Sequence, residues 1–415
     1  MTALDTPSEA EGSPSFPMER DCPYQMPPGY TALLAAGPLS RVTLYDGRRV
    51  WLVGGYDAGR RLLLDPRLSS DNLHPAFPCL TPSQDEQRVH RVRLPLVGVD
   101  NPVHARQRRR VTPAFGIRRV AALRPDIERT ARRLVDALLA SGGTADLVDA
   151  YARPLAYGTT IALLGVPEAD RASFAELAQR LLAPDDNTAG ASDGGDDASA
   201  QEAFFAIRRY LNELLTPGAS HPRTGLVGEL FARIAGERID RDELAMTCLV
   251  VLGGAETTAT TIASAVLALL EHPEQARGVR SGRALPADAV DELTRLVSAS
   301  DELPRVALAD IECAGRTIRR GDGVVVSTML MNRDPAVWSD AAALDLRRAA
   351  GRHAAFGHGI HQCLGQNLAR AQLEIALTTL FRRVPGLRLA VPAVRVPAHP
   401  AHAQQSGVSA LPVTW

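Results

Sequence analysis

The sequence predicts a mainly α-helical fold with small β-sheets (α+β). Four stretches keep a helical apolar period: 127–139, 151–164, 243–270 and 366–381, the last with Leu368, Ala369, Leu373, Ala376, Leu377 and Leu380 along one stripe. Strand signals are short by comparison, the clearest being Val42-Thr43-Leu44-Tyr45 and Val50-Trp51-Leu52-Val53 on either side of Asp46-Gly47-Arg48-Arg49. No linker divides the 415 residues, and 45% hydrophobic with 22% charged residues can bury a large core. The expected organisation is a flexible N-terminus over 1–17 followed by a single domain over 18–415.

Composition excludes several function classes. A formal net charge of -1 gives no global attraction for nucleic acid or an anionic membrane. Cys22, Cys79, Cys248, Cys313 and Cys363 are scattered, odd in number and contain no C-x-x-C pair, which argues against a disulfide framework or a zinc site and for a reducing cytoplasm. The polar, proline-rich start lacks the basic and apolar regions of a signal peptide. No apolar segment amounts to a bilayer-spanning run. The expectation is a cytoplasmic protein without membrane or nucleic-acid partners.

Taken in order, 57–64 reads as a short helix stopped by Asp65-Pro66. Residues 69–99 lack a persistent period and contain Pro75, Pro78, Pro82 and Pro95, the composition of a long loop that is either functional or disordered. Arg88, His90, Arg91 and Arg93 in it are either solvated or able to hold a polar ligand group. Asp100-Asn101-Pro102 opens a helix, on which His104 and Arg108 share one face. Arg106, Arg109 and Arg110 point elsewhere, as a charged face or a docking surface for an acidic donor. Gly165 and Pro167 end the 151–164 helix. An acidic, glycine-rich stretch at about 184–200 has no apolar bulk and is expected to be mobile. Glu292-Leu293-Thr294-Arg295 sets opposite charges at i,i+3, a weak signal alone.

Two stretches carry chemistry. In Phe356-Gly357-His358-Gly359-Ile360-His361-Gln362-Cys363-Leu364-Gly365, a thiol is delivered at a helix N-terminus, where unpaired N–H groups and the helix dipole favour thiolate. Its glycines permit unusual dihedrals and close approach of backbone to a flat group. In Gly253-Gly254-Ala255-Glu256-Thr257-Thr258, two glycines stand mid-helix at a cost of roughly 1 kcal/mol each relative to alanine, which something must offset. They leave a groove, and the Thr257 hydroxyl is placed to bond the Gly253 carbonyl.

The cysteine stretch matches F-G-x-G-x-H-x-C-x-G, and with H-x-x-x-R, [AG]-G-x-[DE]-T and E-x-x-R upstream in that order, the chain resembles a bacterial soluble cytochrome P450. The resemblance implies a P450 fold with haem b between the oxygen helix and the cysteine loop. Cys363 would be the thiolate ligand of the iron, which favours O–O cleavage, with Phe356, Gly357 and Gly365 shaping its loop. His104, Arg108, Arg305 and His353 would reach the haem propionates. Thr257 would hydrogen-bond the oxygen while Glu256 relays protons. Glu292 and Arg295, with Arg348, would be structural support. Residues 69–99 would form the B–C loop, and the acidic stretch the F–G lid.

The same resemblance implies a monomeric monooxygenase inserting one atom of O2 into a C–H bond of a small organic substrate in secondary metabolism. No flavin or NADPH domain follows, so electrons would come from NAD(P)H through a separate ferredoxin and ferredoxin reductase. Leu94, Val97, Val250, Gly254, Val297, Ala299 and Gln404 are the candidate pocket residues. Epoxidation, oxidative coupling and peroxide-driven oxidation are alternatives within the same chemistry. A non-catalytic P450-like partner protein is the alternative outside it, disfavoured by the presence of Cys363 and Thr257.

Overall fold

The computed structural model describes residues 13–89, 93–182, 195–216, 224–234, 240–281, 285–400 and 405–415. Its longest element is the central helix Arg241–Glu271, started by Asp240, whose carboxylate accepts the Asp242 N–H at 2.9 Å. Most positions from Leu244 to Leu269 are buried on every side, the pattern of a helix sunk in a large core. It packs against Arg153–Leu164, Gly195–Leu214, Ala287–Val297 and Gln366–Arg383. The last of these lies along Ile117–Ala140. By composition the central helix is apolar enough to cross a membrane, but 67% of its apolar window is buried inside the protein.

Beside this core stands a five-stranded sheet in the spatial order Leu39–Thr43, Arg49–Val53, Gly323–Ser327, Glu302–Ala307, Leu68–Ser69. The first two strands form the expected hairpin, with Arg41 opposite Trp51. Arg49–Val53 runs parallel to Gly323–Ser327, which is buried along its whole length, as a central strand is. Arg305 stands opposite Val324. A smaller sheet joins Thr144–Asp146, Pro412–Thr414 and Arg388–Leu389, tying the end of the chain to the helical core.

Several expectations need correction. Phe16, expected in a flexible tail, is buried and stacked on Tyr30, and its N–H donates to Thr43 O at 2.9 Å, so order begins before residue 18. The irregular 69–99 loop contains a helix, Pro82–Val89; Pro82 opens it, and Thr81 Oγ1 accepts the Gln84 N–H. The helix expected at 127–139 begins ten residues earlier, with Pro125 inside it. Most of the acidic 184–200 stretch falls outside the described residues, but a helix is already under way at Gly195.

Candidate active site

The cysteine loop owes its shape to two of its three glycines. Gly357 and Gly359 have φ of +67° and +76°, and a Cβ on Gly359 would lie 2.4 Å from Leu63 O. Gly365 has an ordinary φ of -82°, so the dihedral argument does not extend to it. The Cys363 N–H donates to Phe356 O at 2.8 Å, closing the loop. Cys363 is exposed by area, yet burial pushes its thiol up, while the Gly365 and Gln366 N–H groups and the Arg108 and Arg370 charges pull it down. The sulfur therefore borders an enclosed space rather than bulk water. The helix N-terminus thus acts on the sulfur against burial, and Arg108 and Arg370 act with it.

One flank of this space carries uncompensated positive charge. Arg305 is buried, donates only to Pro304 O at 2.7 Å and has no carboxylate partner among the described residues; burial lowers its pKa to about 10. Arg108 is likewise lowered by burial, and its Nη2 donates to Gln362 O at 2.7 Å. His104, on the same helix (Val103–Val111), is buried with Nε2 unpaired. Its ring lies 4.2 Å from that of His361. A buried arginine without a counter-ion and an orphaned imidazole nitrogen are costly unless an anion satisfies them.

His361 was missed as a site residue, although it stands inside the cysteine motif. It stands 4.2 Å from His104 on the cationic flank, whereas His353, expected at the propionates, is tied to Asp291. The Ala355 N–H donates to His353 Nδ1 at 3.1 Å, so Nε2 carries the proton and donates to Asp291 Oδ1 at 3.3 Å. Both nitrogens are thus used. The ring packs against Phe356 (5.4 Å), over which Arg370 stacks at 4.6 Å before reaching Asp291. In His361 both nitrogens are used as well: Nδ1–H donates to Leu96 O at 3.0 Å and Nε2 accepts from Ser70 Oγ at 2.9 Å. Burial and the neighbouring Arg305 push it down to about 3, so it is neutral.

The central helix supplies the second part of the site. A methyl at Gly253 or Gly254 would meet no atom within 4 Å, so the double glycine does open a groove. Thr258 Oγ1, not Thr257, makes the back-bond, to Gly254 O at 2.8 Å. Thr257 makes no such bond to Gly253 and is left with no side-chain partner among the described residues. Glu256 is buried. Tyr157 Oη donates to its Oε2 at 2.7 Å, and Arg153 Nη2 lies 3.2 Å from Oε1. Both partners sit on Arg153–Leu164 and were not singled out in the sequence, where nothing links them to residue 256. Arg153 also pairs with exposed Asp149.

Behind the loop, Glu292 and Arg295 form the expected buried pair at 2.7 Å, and Arg348, rather than the exposed Arg347, adds a contact at 3.0 Å. Among the pocket candidates, Gly254 and Val97 are exposed and Leu94 and Val250 half-buried. Val297 and Ala299 are buried, Val297 inside the helical core. Gln404 lies outside the described residues, as do His90 and Arg91; Arg88 and Arg93 are paired with Asp85 and Asp71. The neighbouring Gln405 meets Thr260 on the central helix at 3.3 Å.

These features suit a flat, dianionic prosthetic group that brings its own metal ligands. A single thiol faces the space, and among the described residues no group of three or more His, Cys, Asp or Glu could hold an ion directly. The fold and site thus define an α-rich protein that presents one cysteine to an enclosed, arginine-lined space. The Cytochrome P450 family model matches residues 285–385. Cytochrome P450-SOY of Streptomyces griseus is 46% identical over 99% of this chain and 97% of its own. The pentalenic acid synthase of Streptomyces avermitilis is 46% identical over 97% of each. The crystal structure of the mycinamicin VIII C21 methyl hydroxylase of Micromonospora griseorubida superposes with a TM-score of 0.84 at 35% identity, over 97% of this chain and 100% of the other. The chain belongs to the cytochrome P450 family and is a haem-dependent oxidoreductase of the monooxygenase type.

Proposed function

We propose that the protein inserts one atom of O2 into a C–H bond of a small secondary metabolite, with electrons from NAD(P)H delivered by a separate ferredoxin and its reductase. The observation that carries this reading is the combination of a cavity-facing Cys363 sulfur with the unpaired cationic flank of Arg108, Arg305 and His104 Nε2. A haem propionate would satisfy that flank by charge-assisted hydrogen bonds. Cys363 would ligate the iron, Phe356 would brace the loop beneath it, and His361, neutral and fixed by Leu96 and Ser70, would close the propionate side.

When bound, the haem supplies activation of O2 at a thiolate-ligated iron. The chain's own contribution is position, exclusion of water and protons. Gly253 and Gly254 leave room beside the central helix, and the Thr257 hydroxyl is free to hydrogen-bond a small ligand there. Glu256 is the nearest proton carrier in sequence, held away from that hydroxyl by Arg153 and Tyr157. It would serve as a relay once one of those contacts exchanges for water, taking protons from the side of exposed Asp149. The names of the relatives, a pentalenic acid synthase and a mycinamicin VIII C21 methyl hydroxylase among them, support a small secondary metabolite as substrate.

The test is spectroscopic and then kinetic. Purified protein should bind haem stoichiometrically and give a thiolate-type ferrous carbonyl spectrum, abolished in Cys363→Ala. Candidate metabolites should shift the haem from low to high spin, and turnover should depend on NAD(P)H, ferredoxin and reductase. An imidazole-type spectrum in native protein, or turnover with peroxide alone, would overturn the proposal.

A further inference from the structure

Two adjacent carboxyls, Asp301 and Glu302, stand where the strand Glu302–Ala307 begins, away from the cysteine loop's own network. Asp301 is fully buried. Its Oδ1 accepts the Ser327 hydroxyl and the Met329 N–H, both at 2.7 Å, while its Oδ2 has no partner among the described residues. Glu302 has no ion-pair partner among the described residues, and the one donor at its carboxyl is its own N–H. Tyr30, at the start of the helix Tyr30–Ala36, is buried within electrostatic reach of both acids, and its hydroxyl finds no acceptor.

The cations facing the pair are Arg20, from the N-terminal segment, and, for Asp301, Arg333, whose donors go to the Arg295 and Leu296 carbonyls. Arg20 bonds neither carboxyl. Its Nη2 donates to Ser406 Oγ at 2.6 Å and its Nη1 to Met329 Sδ at 3.6 Å, and a thioether is a weak acceptor. A guanidinium that gives a donor to sulfur with two carboxyls in reach is intelligible if the pair carries one charge rather than two. Asp301, with two donors from other residues, is the anion, and Glu302 is the neutral acid. Burial and then the adjacent Asp301 push the Glu302 carboxyl up to about 8, while Arg20 pulls it down.

Ser406 belongs to the last turn before the final strand. Its N–H donates to Ala299 O at 2.8 Å, and the Val408 N–H donates to Ser264 Oγ on the central helix at 3.3 Å. Between them Gly407 lies so close to that helix that a Cβ would stand 2.5 Å from Thr260 Cγ2. Arg20 thereby straps the start of the chain to a turn seated on the central helix.

We infer that Asp301 and Glu302 are a proton switch for this strap. While the pair holds one proton, Arg20 stays on Ser406 and keeps residues 405–408 seated; when that proton leaves to solvent, Arg20 turns to the second carboxylate and the seat loosens. Opening is therefore alkaline, on the far side of about pH 8, and the Tyr30 hydroxyl gains an anion to donate to. The device needs no haem chemistry, so its failure and that of the proposed function are separate results.

Infrared titration and hydrogen exchange on the full-length haem-loaded protein test it. The difference spectrum between wild type and Glu302→Gln should contain the C=O band of one neutral carboxylic acid at pH 7, lost on raising the pH through about 8. Protection of the Ser406 amide, corrected for intrinsic exchange, should fall about tenfold or more in wild type between about pH 6 and 9. Glu302→Gln should hold it high throughout. Arg20→Met, similar in length but uncharged, should lower it about tenfold or more at every pH, and amides of Gln366–Arg383 should stay unchanged in all of these. No neutral-acid band, Ser406 protection independent of pH in wild type, wild-type protection in Arg20→Met, or a loss shared by Gln366–Arg383 would each overturn the inference.

Discussion

Two buried glutamates, each facing an arginine, stand on opposite sides of the cysteine loop in function and differ in how completely they are held. Glu292 meets Arg295 Nε at 2.7 Å and Nη2 at 2.8 Å, Arg348 Nε at 3.0 Å and the Asp345 N–H at 3.1 Å. The remaining Arg295 donors go to the carbonyls of Asn332, Ala341 and Ala343. Glu256 has one short bond, from Tyr157; its Arg153 contacts are 3.2–3.3 Å, and that arginine is shared with Asp149, whose side chain is 68% exposed. The same pair of residue types is saturated in one place and left exchangeable in the other. The Arg153 contacts of Glu256 are longer than the arginine contacts of Glu292, so Glu256 is the more easily exchanged of the two.

The comparison breaks first if Glu292 proves dispensable. Glu292→Ala leaves Arg295 fully buried without its counter-ion, and the expected loss is about 3–5 kcal/mol, a large part of an ordinary domain's stability. Denaturant unfolding should show it, together with failure to retain haem. Glu256→Gln should behave in the opposite way. The amide still accepts from Tyr157, so folding and ligand-induced spectral shifts should persist, while turnover falls by about 100-fold or more, the usual worth of a positioned proton carrier. Wild-type turnover in Glu256→Gln would make the two glutamates equivalent.

How much of this was legible in the sequence follows the same divide. Local signals were read correctly: Gly165 ending its helix, the Asp46-Gly47 turn, and Glu292 with Arg295 one turn apart. The Cys363 loop was legible because its residues lie together in the chain. What was not legible joins distant residues. Arg153 and Tyr157 reach Glu256 across about a hundred positions, and Gln107 meets the Leu96 backbone only because a turn no propensity favours brings it there. His353 and His361 are equally plausible by spacing; place separates them, His353 beside Asp291 and His361 beside His104 and near Arg305. Pro82–Val89 was hidden by the prolines around it, one of which begins the helix.

A finer cut through the exchangeable cluster is Tyr157→Phe. It removes one hydrogen bond to a buried carboxylate, worth about 1.5–3 kcal/mol, and leaves Arg153 as the only strong partner. Burial and the adjacent Glu256 both push the Tyr157 phenol up, so it remains a donor throughout the working pH range. Stability should drop modestly in denaturant unfolding, and the number of water molecules ordered at Glu256 in a crystal structure should rise. A loss as large as that of Glu292→Ala would mean the distal cluster is structural as well.

The smallest expected effect is in acid stability, and it sharpens the contrast because only the cluster behind the loop contains a histidine. Burial holds His353 below its ordinary value near 6.5, although Asp291 pulls the other way. A folded pKa below the unfolded one means that the unfolded chain takes up the proton first as the pH falls. The stabilisation is complete above pH 6.5 and is lost progressively below it, down to the folded value. His104, His358 and His361 are lowered as well and add slope of the same sign. His353→Gln should therefore flatten the dependence of unfolding free energy on pH between 6.5 and 5 by at most one proton, about 1.4 kcal/mol per pH unit. Glu256→Gln should leave that slope intact, since its partners Arg153 and Tyr157 keep their protons there. An unchanged slope in His353→Gln would mean that water reaches the Asp291–Arg370 side of the loop, and the distinction between a closed and an exchangeable cluster would be lost.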